Sequence, residues 1–232
     1  MNAPDGEFRV VADVPAAFAD LVAAEIGTAL EPGASPNGPF RLVLSGGPTA
    51  HACYEALARR PGLDWARVEC LIGDERCVPA DHEDANQLMV LEVLIERVAP
   101  RPQFRPMDCD EPAEVYEAVV NSSPRLDLVH LGMGPDGHTA SLFANSPVLD
   151  APQDRLVDHS LDPSGRNPYR RLTLTFAGIA RGRLVVFTVQ GAAKRDAMQK
   201  VLRREDVPAA RVQADRVVWL CDRDAIGAES LP

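Results

Sequence analysis

Basic residues are the first shortage of this 232-residue chain: 24 Lys and Arg against 34 Asp and Glu leave a formal charge of −10. That balance opposes nonspecific attraction to nucleic acid or to an anionic membrane, so a phosphate-bearing ligand would need a local cluster of cations. Long apolar runs are missing too. No stretch reaches the length of a membrane span, and the amino end MNAPDGEFRV has no basic segment followed by an apolar one, which predicts a soluble, unprocessed protein without membrane attachment. The five cysteines, Cys53, Cys70, Cys77, Cys109 and Cys221, are odd in number, scattered and without a CxxC pair, the pattern of a reducing cytoplasm. No two Cys or His fall at ligand spacing on one turn, which argues against zinc. The turn SGGPT at Ser45 to Thr49 has neither the GxxxxGK[ST] of a nucleotide loop nor the full GxGxxG of a dinucleotide site, so ATP and NAD are unsupported, and neither metal nor cofactor is expected. There is no internal repeat, no low-complexity tract and no basic helix-turn-helix segment.

What is present is alternation. With 46% hydrophobic and 25% charged residues, the chain suits one α/β domain spanning residues 1–232. Strand-like runs at Phe8–Ala12, Arg41–Leu44, Val68–Ile72, Leu126–Leu131, Leu172–Phe176, Leu184–Val189 and Val217–Leu220 alternate with helical stripes at Pro15–Leu30, His51–Arg60, Asn86–Val98, Pro112–Val120, Ala193–Arg203 and Arg223–Ala228. Such alternation predicts a largely parallel sheet covered by helices on both faces. Glu31–Pro39 reads as a surface loop. Asn145–Pro168, rich in turns, is long enough to form part of a substrate wall.

Three turns follow strands and would converge on one sheet edge. LGMGPDGHTASLF opens at Gly132, Gly134 and Gly137 around Asp136 and His138, with Thr139 and Ser141 placed to cap a following helix. SGGPT brings the bare backbone of Gly46, Gly47 and Thr49 to a helix amino end, a geometry that suits phosphate or carboxylate but also an ordinary tight turn. GDERCVP sets Asp74, Glu75 and Arg76 at another carboxyl end, as ligand contacts or as an internal ion pair of Arg76 with Glu75. Asn86 and His82 flank the next helix start. Arg171 precedes the strand LTLTF, and Lys194 begins a helix where the dipole disfavours a cation unless an anion is bound. His51, His130 and His159 are weaker candidates than His138, with His130 expected to pack or bond internally.

Taken in order, SGGPT, GDERCVPADHEDAN, LGMGPDGHTASLF, RRLTLT, GAAK and VPAARV resemble the 6-phosphogluconolactonase family over about Phe8 to Asp222. The resemblance implies a Rossmann-like three-layer α/β sandwich, shared with glucosamine-6-phosphate deaminases, and hydrolysis of 6-phospho-D-glucono-1,5-lactone to 6-phosphogluconate, the second step of the oxidative pentose phosphate pathway. Deaminases typically continue the third turn as HIAFNEP and begin the second motif DEY. Here the turn continues from His138 through Thr139, Ala140 and Ser141, and the second motif reads Asp74, Glu75, Arg76, which favours the lactonase. A deaminase-like isomerase and a noncatalytic sugar-phosphate sensor remain as alternatives. The chain departs from the family pattern at Ala50, Ala85 and Ala144, none of which is a proposed acid, base or cation.

A δ-lactone is an activated ester whose hydrolysis needs an oriented water, a proton acceptor and stabilisation of the oxyanion. An imidazole with an ordinary pKa of about 6.5 suits the acceptor, so His138 is the expected base, with Asp136 either orienting it or pinning the glycine turn. Arg171, Lys194 and the backbone of Gly46, Gly47 and Thr49 form the expected phosphate site. The resemblance adds Asp74 and Arg76 as substrate contacts, and Asn86 stands at the same rim. A monomer is expected from the acidic surface and the lack of an obvious exposed apolar helix.

Overall fold

The apolar runs become strands of one parallel sheet in a computed structural model that describes residues 6–31 and 38–227. Most of the predicted surface loop Glu31–Pro39, and Ala228 at the end of the last predicted helix, lie outside the described residues. In chain order the elements are β1 (Glu7–Val10), α1 (Val14–Leu30), β2 (Phe40–Leu44), α2 (Pro48–Ala58), β3 (Val68–Ile72), β4 (Asp74–Arg76), α3 (Asn86–Val90), β5 (Gln103–Arg105), α4 (Ala113–Asn121), β6 (Leu126–Gly132), β7 (Val157–Ser160), β8 (Arg171–Leu174), α5 (Phe176–Ile179), β9 (Gly182–Val189), α6 (Arg195–Leu202), β10 (Arg216–Cys221) and α7 (Arg223–Ile226). Seven strands pair in the order β1-β10-β9-β6-β2-β3-β5, all in parallel. Every residue of β2 and β3 is buried, as expected of a sheet covered on both faces. The alternation predicts this parallel sheet, and the fold is the Rossmann-like α/β sandwich that the family resemblance implies.

Local chemistry explains the element boundaries. Asp13 caps α1 by accepting the Ala16 N–H at 2.9 Å, with Pro15 in the first turn, and Phe18, Val22 and Ile26 form its buried stripe. Charge inside the central strands is matched: Arg41 on β2 and Arg105 on β5 hold the Glu69 carboxylate of β3 at 2.7 and 2.8 Å. The remaining Arg41 donors meet the Val119 and Val120 carbonyls.

Several expectations are corrected. The run Leu172–Phe176 does not enter the parallel sheet: its strand begins at Arg171 and lies antiparallel between β4 and β7 in a separate three-stranded sheet. Thr175 then caps α5 by accepting the Gly178 N–H, which ends the strand before Phe176. Strands β4, β5 and β7 read DER, QFR and VDHS, too short and too polar to register as apolar runs. The predicted helix Asn86–Val98 is α-helical only to Val90 and continues as a π-helical turn to Ile95. Thr139 and Ser141 cap no helix: the segment after His138 closes as a bridge between Thr139 and Leu142, and both hydroxyls serve other partners. Two of the scattered cysteines also meet, Cys77 and Cys109 forming a disulfide with Cα atoms 5.3 Å apart, whereas Cys53, Cys70 and Cys221 stay free and buried. Sequence spacing conceals that pairing because β4 and the segment after β5 are neighbours only in space.

Candidate active site

The three glycine-bearing turns leave the carboxyl ends of β2, β3 and β6, adjacent strands of the sheet, where open α/β sheets bind ligands. They enclose a cleft of about 190 Å³ lined by Gly46, Gly47, Thr49, Asp74, Arg76, Asn86, His138, Arg171 and Lys194. The residues of the expected base, the expected phosphate site and its rim are therefore in one place, with Asp136 bonded to the His138 that lines it. His82 is not brought in: it packs edge-on against Tyr169 and accepts the Asp84 N–H.

At one end of the cleft, Gly47 adopts φ 94° and serves as the N-cap of α2 without any side chain capping the helix. The first-turn N–H groups of Thr49 and Ala50 thus keep their donor capacity for an anion. Gly46 has no alternative residue, since a Cβ there would overlap the Asn86 side-chain amide. Asn86 is not the helix cap that its position predicts. Ala85 occupies that place, and the Asn86 amide donates instead to the Asp74 carbonyl at 2.7 Å.

The acidic motif separates into distinct jobs. The buried Glu75 carboxylate accepts the N–H groups of Arg76, Asn86 and Gln87, each at 2.7 Å. Burial nonetheless outweighs these bonds and pushes its pKa up to about 7. Glu75 makes no ion pair with the Arg76 guanidinium, which donates to the Asp84 carbonyl at 2.6 Å. Asp74 accepts the Ser141 hydroxyl at 2.6 Å and lies 3.8 Å from Arg171. The Nε–H groups of both Arg76 and Arg171 are buried without a partner among the described residues, an arrangement that costs free energy unless an anion is received there. Burial lowers the pKa of Arg171, with Asp74 opposing the shift. It lowers that of Lys194 as well, with Asp136 opposing.

His138 Nδ1 stands 2.6 Å from Asp136 Oδ1, and the same oxygen accepts the His138 backbone N–H at 3.2 Å. Asp136 therefore does both things the sequence left open, orienting the ring and pinning the turn. Its carboxyl is held well below the usual carboxylate range by the bond to His138. With Nδ1 bearing the shared hydrogen, Nε2 carries the lone pair. Gly134 faces this pair closely enough that a Cβ would overlap the imidazole. Phe143 packs against the ring with centroids 4.8 Å apart.

The sequence reading missed Ser45, Asn167, Thr188 and Gln190, which also line the cleft. Asn167 belongs to the long Asn145–Pro168 loop, which does supply part of the wall. Its side chain is fixed by a 2.8 Å bond to Asp162. Thr188 is the penultimate residue of β9, and only its strand-end position could have drawn attention to it.

A His–Asp pair beside a helix start without a side-chain cap, in a cleft that two arginines and a lysine line at the carboxyl edge of a parallel sheet, defines the class as an α/β fold with an enzyme-like cleft. The sequence model of the family described as Glucosamine-6-phosphate isomerases/6-phosphogluconolactonase matches residues 13–219, and the chain belongs to that family. It is 36% identical to 6-phosphogluconolactonase of Synechocystis, over 82% of this chain and 84% of that protein. It is also 36% identical to 6-phosphogluconolactonase of Mycobacterium tuberculosis, over 99% of this chain and 96% of that protein. The crystal structure of 6-phosphogluconolactonase from Thermotoga maritima superimposes with a TM-score of 0.79 at 29% identity, covering 94% of this chain and all of that one.

Proposed function

We propose that His138 is the general base with which this chain hydrolyses 6-phospho-D-glucono-1,5-lactone to 6-phospho-D-gluconate, the second step of the oxidative pentose phosphate pathway. The observation that carries the assignment is that His138, held by Asp136 at 2.6 Å, lines the same cleft as Arg76 and Arg171. Nε2 of His138 takes a proton from water as the water oxygen attacks C1 of the lactone. The carbonyl becomes a tetrahedral oxyanion, for which Arg76 supplies positive charge. Collapse breaks the bond from C1 to the ring oxygen, and the imidazolium returns its proton to that oxygen, so protons balance over the cycle. Asp136 stabilises the imidazolium and holds its tautomer. Asp74, its carboxylate fixed by Ser141, accepts sugar hydroxyls, and Asn86 borders it.

The phosphate is held by Arg171, Lys194 and the uncapped backbone of Gly46, Gly47 and Thr49, a local basic cluster that answers the net charge of −10. No metal or cofactor is needed for this sequence of steps. No described helix is long and apolar enough to cross a membrane. We place the protein in the cytoplasm with its charged substrate, acting as a monomer without nucleic-acid partners. Among the described residues the large exposed apolar side chains are few, Val10, Val115 and Leu161, which supports the monomer.

The test generates the lactone in situ and follows its loss over seconds against a rate-matched blank, because the lactone also opens spontaneously. Acceleration that H138A abolishes is the expected result. Acceleration that survives in H138A would remove the assigned base, and no acceleration by the wild type would remove the activity.

A further inference from the structure

A chain of buried polar groups runs beneath the phosphate end of the cleft, outside the machinery assigned above. The Tyr54 hydroxyl of α2 accepts the Ser45 N–H at 2.6 Å and lies 2.7 Å from His130 Nδ1. On its other side, His130 Nε2 lies 2.9 Å from the Thr188 hydroxyl of β9. Tyr54 and His130 are completely buried, and Thr188 nearly so, yet Ser45 and Thr188 both line the cleft. His130 stands on β6, between β2, which Ser45 directly follows, and β9, which carries Thr188, and Thr188 is level with Gly132, two residues nearer the cleft than His130.

The direction of this chain follows from hydrogen counting. Tyr54 has one hydrogen to donate, its oxygen already faces the Ser45 N–H, and its other partner is Nδ1 of His130. The phenol therefore donates to Nδ1, which makes Nδ1 the acceptor and Nε2 the donor. In the reverse tautomer the Tyr54 oxygen would face two N–H groups while its own hydrogen lacked an acceptor. Burial of His130 disfavours the imidazolium, holding its pKa down to about 3, so a doubly donating ring is absent near neutral pH. Nε2–H then donates to Thr188. With Nε2–H donating to it from behind, the Thr188 hydroxyl keeps its own hydrogen for the cleft.

We infer that Thr188 is a phosphate-recognition residue whose hydroxyl donates to the substrate phosphate beside Lys194, and that His130 is a positioning residue fixing the direction of that hydroxyl from the Ser45–Tyr54 end. The ligand class is a phosphomonoester dianion, an acceptor that rewards an aimed donor. The inference rests on the proposed lactonase reading, and it assigns to the glycine loop and to β9 a shared buried support.

The experiment measures lactone hydrolysis and its competitive inhibition by inorganic phosphate in wild type, T188V, T188S, H130L and the T188V/H130L double variant. In T188V, KM and the inhibition constant of phosphate should rise together about tenfold, the scale of one hydrogen bond to a charged group, with the loss falling on KM rather than kcat. T188S should restore both constants. H130L should reproduce the KM rise, and the double variant should be no worse than T188V, because His130 acts through Thr188. Wild-type constants in T188V, with wild-type hydrolysis intact, would overturn the inference while leaving the activity standing. Full additivity in the double variant would overturn the role of His130. If H130L does not fold, T188V against T188S still decides the role of Thr188. Absence of hydrolysis by the wild type would instead count against the lactonase reading beneath it.

Discussion

Arg76 and Arg171 are direct partners across the antiparallel β4–β8 ladder, so two guanidinium-bearing residues face one another at the wall of the cleft. Like charges directly opposite in a sheet destabilise it, and here each also keeps a buried Nε–H without a partner among the described residues. Asp74, 3.8 Å from Arg171, offsets part of the repulsion. The remainder is positive charge at the cleft wall, which under the proposed function meets the anionic substrate.

Removing a cation should therefore weaken substrate binding more than chemistry. R171A and K194A are each expected to raise KM roughly ten- to a hundred-fold, corresponding to about 1.5–3 kcal/mol for a charge-assisted hydrogen bond. Initial-rate kinetics check this. A drop in kcat with unchanged KM would move both residues from the phosphate to the reacting centre.

The His138–Asp136 pair should act on kcat. H138A is expected to lose about a hundred- to ten-thousand-fold, the usual worth of a general base. D136N should lose part of that, because an amide cannot stabilise the imidazolium and can present a donor to Nδ1. Single-turnover rates with circular dichroism on the same samples separate lost chemistry from lost fold.

Stability should depend on pH in two opposed ways. Glu75, raised by burial from its ordinary 4.5 to about 7, binds its proton more tightly folded than unfolded. Its contribution is full below about pH 4.5 and is lost as pH rises through about 7. Asp136 is shifted down from 3.8, chiefly by the His138 bond, so its contribution is present above that value and is lost as pH falls toward the lowered one. Urea denaturation across pH 3 to 8 should show the first slope vanish in E75Q and the acid limb flatten in D136N. An E75Q profile parallel to the wild type would refute the assignment to Glu75.

Reduction of the Cys77–Cys109 bridge should cost stability rather than activity. The bridge spans 32 residues, for which the chain-entropy account gives roughly 3–4 kcal/mol. Arg76 stays placed without it, because the β4–β8 ladder continues into a 2.9 Å bond from the Cys77 N–H to the Arg170 carbonyl. Denaturation with and without dithiothreitol, alongside lactonase rates, checks both halves. A reductant-dependent rise in KM would show that the bridge shapes the cleft.

Much of the fold is legible in the sequence because the central strands are buried on both faces, and runs such as Leu42–Leu44 or Leu184–Val189 need no partner to be recognised as apolar. The glycine turns are legible for a related reason, since residues such as Gly46 and Gly134 sit where a Cβ would meet Asn86 or His138. Strands β4, β5 and β7 were illegible, having only three or four residues and little apolar character of their own. Thr139 and Ser141 misled because a hydroxyl after a glycine turn looks like a helix cap until its tertiary acceptor is known.

By itself the sequence determined the alternating α/β order, the three turns at strand ends and the closeness of Asp136 to His138, since two residues on one turn are neighbours in almost any conformation; that the two side chains bond was settled by the structure. Tertiary structure alone decided that Arg76 faces Arg171, that Cys77 meets Cys109, and that Tyr54, His130 and Thr188 form one directed chain. These contacts join segments 32 to 95 residues apart. They are set by strand register and by the need to satisfy buried polar groups, neither of which local patterning encodes.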